Sequence, residues 1–481
     1  MSRRADVDPL GLTDDAPLLR AYFDALDRQA ATEHPFFTPG HHGSTSLTGV
    51  VAGDTSLVGG IDTIKFKHGW LAQAERKSAD LFGADVCRFS VGGSTHCNQT
   101  LALAVGRPGD TVVVARTAHR SVLLGLVLAG LTPAWVQPEL DAATGLSAGF
   151  APQRVADALA ANPGAVAVFL SDPSYVGTYS DLREHARVAH DAGVPLLVDA
   201  AWSAYFGFHP DLPEHALGAG ADAMVTSAHK TLPAYSQGAL LLARTDRISA
   251  ARLARAYDAT HTTSPAGAIM ASLDGARALL ALHGERLLGS VLSGVAGARD
   301  RLRAIPGVHV LEGPGVDPLK LTITLPGTGA HGVEIEEDLI NAGVPVEMAD
   351  RDTIVAVVTV ADDAESLRRL TDELSDSIER RRGTPRRPPT AAGWILAPTV
   401  MLPPRDAFFG SSETVATADA VGRISAELIA PYPPGVPVLA PGELVTREAI
   451  SALTGAQADG VRIAYAGDPR LRTLEVLQHA P

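Results

Sequence analysis

Cysteine is nearly missing from this chain: Cys87 and Cys97 are the two in 481 residues. That excludes a disulfide framework and points to a reducing compartment, with both thiols read as small core fillers. No apolar run reaches the roughly 18 residues that a membrane span needs, and no apolar stretch follows the arginines of Met1-Ser-Arg-Arg-Ala-Asp-Val-Asp8. A cytoplasmic protein is the expectation. Positive charge is in deficit too, with Lys+Arg 40 against Asp+Glu 54 and a formal net charge of −14. This argues against nucleic acid or an anionic membrane as a partner and suits a cationic substrate. Internal repeats and low-complexity tracts are lacking. No metal centre is expected, because His41-His42 have no carboxylate or cysteine at ligand spacing.

Apolar side chains are plentiful at 46%, in a length that the usual prior divides into about two to four domains. Helical spacing over 16–31, then the Pro/Gly/His-rich stretch 34–43, reads as an N-terminal arm over 1–65. From there the pattern alternates. Helices are expected at 71–82, 95–105, 119–129, 153–161 and 182–192, and strands at 111–115, 165–171, 195–199, 223–227 and 238–243. Short apolar strands separated by helices of ten or more residues indicate a mostly parallel sheet covered on both faces, an α/β large domain over 66–300. A helical pattern at 284–304 leads to a smaller α/β domain with its linker over 301–389, with strands near 319–325, 344–348 and 353–360 and helices 333–342 and 364–381. The stretch 383–389 has linker composition and opens a C-terminal portion, 390–481.

Parallel sheets bind ligands beyond the carboxyl ends of their strands, and the chemistry-bearing residues fall there. Asp199 ends the apolar run 195–199, and Ser227-Ala-His-Lys230 follows the strand 223–227. A lysine and an upstream carboxylate on neighbouring strand ends are what pyridoxal phosphate requires: the amine forms a Schiff base with the cofactor aldehyde, and the aspartate keeps the pyridine nitrogen protonated. Ser227 and His229 are placed to donate to the cofactor phosphate. Ser227-x-x-Lys230 also matches a serine-nucleophile motif, but no Ser-Asp-Asn or Lys-Thr-Gly follows it. Gly92-Gly-Ser-Thr95 is a glycine turn entering a helix, a phosphate cradle with Ser94 and Thr95 as added donors; capping is the plainer reading of the same residues. His119 follows the strand 111–115, where its ring can stack on a pyridine or simply cap a helix. Asp199-Ala-Ala-Trp202 offers small residues, among them Ala201, for close backbone passage and Trp202 as a pocket wall. Tyr175 follows another strand, where it can reach a cofactor rim, though an ordinary Asp-Pro turn explains most of that segment.

In order, Thr38-Pro-Gly-His-His-Gly43, Gly92-Gly-Ser-Thr95, Arg116-x-x-His119-x-Ser121, Asp199-x-Ala-Trp202, Ser227-x-His-Lys230, Thr262-Thr-Ser-Pro265 and Tyr432-Pro-Pro-Gly-Val-Pro437 with Pro441-Gly-Glu443 resemble the bacterial ornithine/lysine/arginine decarboxylases. The resemblance runs from about 35 to 450. It implies a fold-type I, aspartate aminotransferase-like large domain, a smaller α/β domain and a decarboxylase-type C-terminal portion. The length resembles the family's short form, while Asp199-x-Ala-Trp202 resembles its long form. By matching position, Lys230 is the Schiff-base lysine, Asp199 the pyridine-nitrogen partner and His119 the ring-stacking residue. Ser94, Thr95, Ser227 and His229 are the phosphate ligands. Thr262, Thr263 and Ser264 match a segment that reaches a neighbouring subunit's cofactor, which implies a homodimer with shared active sites. His42 stands where the family has lysine, and Asp199-Ala-Ala-Trp-Ser-Ala-Tyr205 lacks the carboxylate and two imidazoles of the usual segment, so a modified basic amino acid stays open as substrate.

The expected activity is decarboxylation of arginine, lysine or ornithine to an amine and CO2, with Lys230, His229 or another residue as proton donor to Cα. Asp54, Asp62, Glu427 and Glu443 are the acidic candidates for the substrate's distal cation. The rivals are an aminotransferase or other lyase on the same fold, which would need an arginine for the α-carboxylate, and a silent homologue, against which an intact Lys230 and Asp199 argue.

Overall fold

The computed structural model describes residues 8–30, 39–41, 49–55, 69–141, 143–387, 396–432 and 436–479. Asp62, residues 433–435 and, of the 38–43 motif, Thr38, His42 and Gly43 lie outside the described residues.

Seven strands form the main sheet: β1 (Val86–Ser90), β2 (Thr111–Ala115), β3 (Thr132–Val136), β4 (Ala165–Ser171), β5 (Leu196–Asp199), β6 (Ala223–Thr226) and β7 (Ala239–Ala243). Their order is β1-β7-β6-β5-β4-β2-β3. Strands β3, β2, β4, β5 and β6 pair in parallel, and β7 runs antiparallel to β6 and β1. Every residue of β5, β6 and β7 is buried, which is why these strands read as unbroken apolar runs rather than alternating ones. Helices Gly93–Val105, Arg120–Ala129 and Ala250–Thr260 cover one face, and Trp70–Phe82, Pro152–Ala161 and Leu182–Asp191 the other. The expected helices and strands of this sheet appear within a residue or two. Cys87 and Cys97 are buried and free.

Two strands had no counterpart in the sequence pattern. In β1 the polar Arg88 and Ser90 interrupt the apolar run, and β3 carries Pro133, which an edge strand tolerates because one side of it has no ladder partner. The long helix is also longer than its pattern, Gly267–Arg303 rather than 284–304. Its first half is buried on most sides and so lacks a single apolar stripe. Asp274, fully buried there, accepts from the Leu18 N–H at 2.8 Å and pairs with Arg277.

The smaller unit is a four-stranded antiparallel sheet of His309–Val310, Lys320–Thr324, Thr353–Val357 and Met348–Ala349, backed by Gly332–Asn341 and Ala364–Arg380. The strand expected at 344–348 contributes only Met348 to the ladder. Two short ribbons, Ser412–Ala416 with Thr473–Leu477 and Ala430–Tyr432 with Arg462–Ala464, organise the C-terminal portion.

Candidate active site

The segments leaving the carboxyl ends of the parallel strands enclose a cavity of about 790 Å3, within the usual size of a small-ligand site. Ser94 and Thr95 come from the turn after β1, His119 from the turn after β2, Tyr175 from beyond β4, Asp199, Ala201 and Trp202 from the end of β5, and Ser227, His229 and Lys230 from beyond β6. Thr263 and Ser264 are not in this wall; they sit exposed beyond the helix Ala250–Thr260.

One end of the cavity is built to receive an anion. Gly93 opens its helix at φ +67°, a left-handed conformation that suits glycine, and its N–H donates to Gln237 O at 2.8 Å. The first-turn N–H groups of that helix therefore point outward beside Ser94, whose hydroxyl meets the Ser227 hydroxyl at 2.6 Å. His229 donates from Nδ1 to Gly238 O at 2.9 Å, which fixes its ring against the same wall.

Asp199 lies in the middle, 5% exposed. Its Oδ2 accepts from Asn98 Nδ2 at 2.8 Å, and Asn98 Nδ2 also donates to Ser121 Oγ at 2.9 Å. Ser121 in turn meets His119 Nδ1 at 2.8 Å, and its backbone N–H donates to the same nitrogen. His119 Nδ1 is therefore an acceptor and the ring proton sits on Nε2. Burial holds this imidazole below the ordinary histidine range, against the pull of Asp199. Asp199 Oδ1 is buried without a partner. An orphaned carboxylate oxygen at that depth calls for a cationic donor, and a protonated pyridine nitrogen supplies one. The residues present thus fit pyridoxal phosphate at three points: an anion cradle, a buried acceptor and a lysine amine.

Asn98 was missed in the sequence reading. Its signal was its position one turn after Ser94 in the same helix, which puts both on one face. Glu347, which shares a wall with Lys230, Trp202 and Tyr175, was missed as well. Lys230 Nζ lies 4.0 Å from the Trp202 ring centroid, and burial depresses its proton affinity below the ordinary lysine range while Asp199 and Glu347 oppose that. Tyr175 packs edge-on to Trp202 and donates its O–H to Glu347 Oε1 at 2.8 Å. Glu347 is the carboxylate at the cavity mouth, carried by the smaller sheet's side of the molecule. Of the four acids singled out from sequence, the three among the described residues are engaged elsewhere. Glu443 is buried in an ion pair with Arg116, whose Nη2 donates at 2.9 Å, and Glu427 accepts the N–H groups of Gly467 and Glu475. Asp54 faces His41 at 3.3 Å. Arg116 is thereby structural, and among the described residues no arginine lines the cavity.

A family model described as Orn/Lys/Arg decarboxylase, major domain, matches residues 16–314, and the model of that family's C-terminal domain matches 397–457. The chain is 32% identical over 462 residues to an arginine decarboxylase of Halalkalibacterium halodurans, covering 92% of this chain and 94% of that one. It is 32% identical over 430 residues to an arginine decarboxylase of Bacillus subtilis, covering 87% of each. Among solved structures, lysine decarboxylase A from Pseudomonas aeruginosa superposes with a TM-score of 0.80 at 21% identity, over 99% of this chain and 82% of that one. The chain belongs to the Orn/Lys/Arg decarboxylase family, and it is a pyridoxal phosphate-dependent decarboxylase of fold type I acting on basic amino acids.

Proposed function

We propose that this member of the family decarboxylates arginine to agmatine, with lysine and ornithine as weaker substrates, using Lys230 as the amine that carries the cofactor. The observation that carries the reading is the meeting, in one cavity, of the buried Lys230 amine, the orphaned Asp199 Oδ1 and the Glu347 carboxylate. Arginine is put first because relatives matching over most of their length bear that name.

Bound there, the cofactor supplies an aldehyde for the substrate's α-amine and a conjugated ring that takes up the electron pair left when CO2 departs. The chain's own residues supply the rest. Ser94, Thr95, Ser227 and His229, with the helix N–H groups after Gly93, hold the phosphate. Asp199 Oδ1 would accept from a protonated ring nitrogen and so keep its proton in place, and Asn98 aims that carboxylate by occupying Oδ2. His119, steered by Ser121, would stack on the cofactor ring, and the small Ala201 would leave room for it beside Trp202. Glu347, oriented by Tyr175, receives the substrate's distal cation. Among the described residues the wall carries no arginine to hold the α-carboxylate, which favours its loss and argues against transamination. Lys230 and His229 stand at the cavity as candidates to return the proton to Cα.

We further infer a homodimer in which Thr263 and Ser264 of one copy complete the neighbour's site; their exposure, away from the cavity wall of their own chain, supports this. A role in polyamine supply and a cytoplasmic location accord with the amine product and with the finding that no described helix is long and apolar enough to cross a membrane. The division into 1–65, 66–300, 301–389 and 390–481 is offered on the same footing.

The test is mass spectrometry of products after the purified protein, loaded with pyridoxal phosphate, meets arginine, lysine and ornithine without any keto acid. Agmatine as the main product is expected. Amine formation only from lysine or ornithine would overturn the choice of arginine, and no amine without an added keto acid would overturn decarboxylation.

A further inference from the structure

Arginine carries nearly all the positive charge of this chain: 35 arginines stand against five lysines, Lys65, Lys67, Lys77, Lys230 and Lys320. A guanidinium stays charged at any working pH, whereas an ammonium gives up its proton readily once buried. Of the lysines among the described residues, Lys77 pairs with Asp15 at the surface, and the other two meet at a single indole. Lys230 Nζ is 4.0 Å and Lys320 Nζ 3.8 Å from the Trp202 ring centroid. The two nitrogens are therefore within about 8 Å of each other, near enough for like charges in a partly desolvated site to repel.

Lys320 is 2% exposed and comes from the smaller sheet, at the start of the strand Lys320–Thr324. Its stem passes against Gly177, where an added Cβ would stand 2.7 Å from Lys320 Cβ. Its Nζ has no hydrogen-bond partner. Burial brings this amine down to about 8. The charged and titratable groups facing it come from several elements. Asp317, in its own turn, takes the Tyr205 O–H, and Glu347 is held by Tyr175; both favour the ammonium, while Lys230 opposes it. Arg299 is spent on backbone carbonyls, donating to Asp317 O at 3.1 Å and Lys320 O at 2.9 Å. An amine buried without a single hydrogen bond costs stability, so packing does not explain its presence.

We propose that Lys320 is a positioning residue for Lys230: its ammonium on the Trp202 ring makes a second positive charge there unfavourable, and so holds the Lys230 amine uncharged and nucleophilic whenever that amine is not joined to the cofactor. The two amines then titrate as a coupled pair. This rests on the reading of Lys230 as the cofactor-bearing residue.

The experiment adds pyridoxal phosphate to cofactor-free protein and follows the rate at which the visible absorbance of the bound form appears, from neutral to alkaline pH. Lys320→Met keeps the length of the stem and leaves no orphaned polar atom, so its melting temperature is expected to equal or exceed that of the wild type. Its capture profile is expected to shift upward by about one pH unit, a roughly tenfold slower capture on the acid side of the midpoint. Lys320→Arg, which keeps the charge, is expected to follow the wild-type profile. An unshifted profile in Lys320→Met, a Lys320→Arg profile that matches it instead of the wild type, or a Lys320→Met chain that does not fold would each overturn the proposal. Failure of the wild-type chain itself to take up pyridoxal phosphate would overturn the site reading instead.

Discussion

Exchanging Glu347 for glutamine removes one negative charge from the mouth of the cavity while keeping an oxygen for the Tyr175 O–H that now donates to Oε1 at 2.8 Å. The shape of the wall is preserved, so the loss measures charge alone. A hydrogen bond to a charged group contributes about 1.5–3 kcal/mol net. Glu347 is exposed, and solvent screening lowers that figure. About 1.5 kcal/mol is then the working value, close to a tenfold loss in kcat/KM for arginine. The assay is steady-state CO2 release from arginine, lysine and an uncharged amino acid of similar length. The basic substrates are expected to lose about tenfold and the uncharged one to change little. A loss below about threefold for arginine, or an equal loss for the uncharged amino acid, would refute the assignment of Glu347 to the distal cation.

Mixing inactive Lys230→Ala protein with a Thr263→Ala/Ser264→Ala double variant is expected to restore activity, because one site of the mixed dimer then has every residue intact; size-exclusion fractions that stay inactive after subunit exchange would sink the shared site. Gly93→Ala places a side chain at φ +67° and is expected to weaken retention of the cofactor by about tenfold, from a strain of about 1–2 kcal/mol; equilibrium dialysis against pyridoxal phosphate reads it. His96, pushed down to about 4 by burial, must stay uncharged in the fold although it takes up a proton below about pH 6.5 when unfolded. The unfolded state therefore binds more protons, and stability is lost as pH falls through that window, by about 2 kcal/mol at pH 5 from this residue. Urea melts should show a shallower fall with pH in His96→Gln, and an unchanged slope would count against the buried neutral ring.

The two halves of the site differed in how far they were legible. Asp199, Lys230 and His119 each follow a strand end of the parallel sheet, and the rule that ligands sit beyond such ends brings them together without knowing any side-chain contact, while Ser94 was legible from the glycine turn that enters its helix. Asn98 needed only the helical repeat. Glu347 and Lys320 had no such route, because one reaches the cavity and the other the Trp202 ring from the smaller α/β unit, 117 and 90 residues after Lys230 along the chain. No local pattern encodes that approach. The rejected acids teach the same point: Glu443 and Glu427 are where buried partners needed a carboxylate, Arg116 in one case and backbone N–H groups in the other. Strands β1 and β3 escaped notice because polar residues and a proline break the apolar runs by which the central strands announced themselves.

The helix Gly267–Arg303 packs beside both sheets, against Trp70–Phe82 on one side and Ala364–Arg380 on the other. At 1.5 Å per residue it is a rod about 55 Å long. Such a rod makes the site a calliper, with one jaw at Lys230 and the other at Glu347 and a fixed frame between them. On the proposed reading the distance between a substrate's α-amine and its distal cation would be gauged by the gap, and shortening or lengthening the turn before Met348 is expected to reset that gauge without touching Lys230.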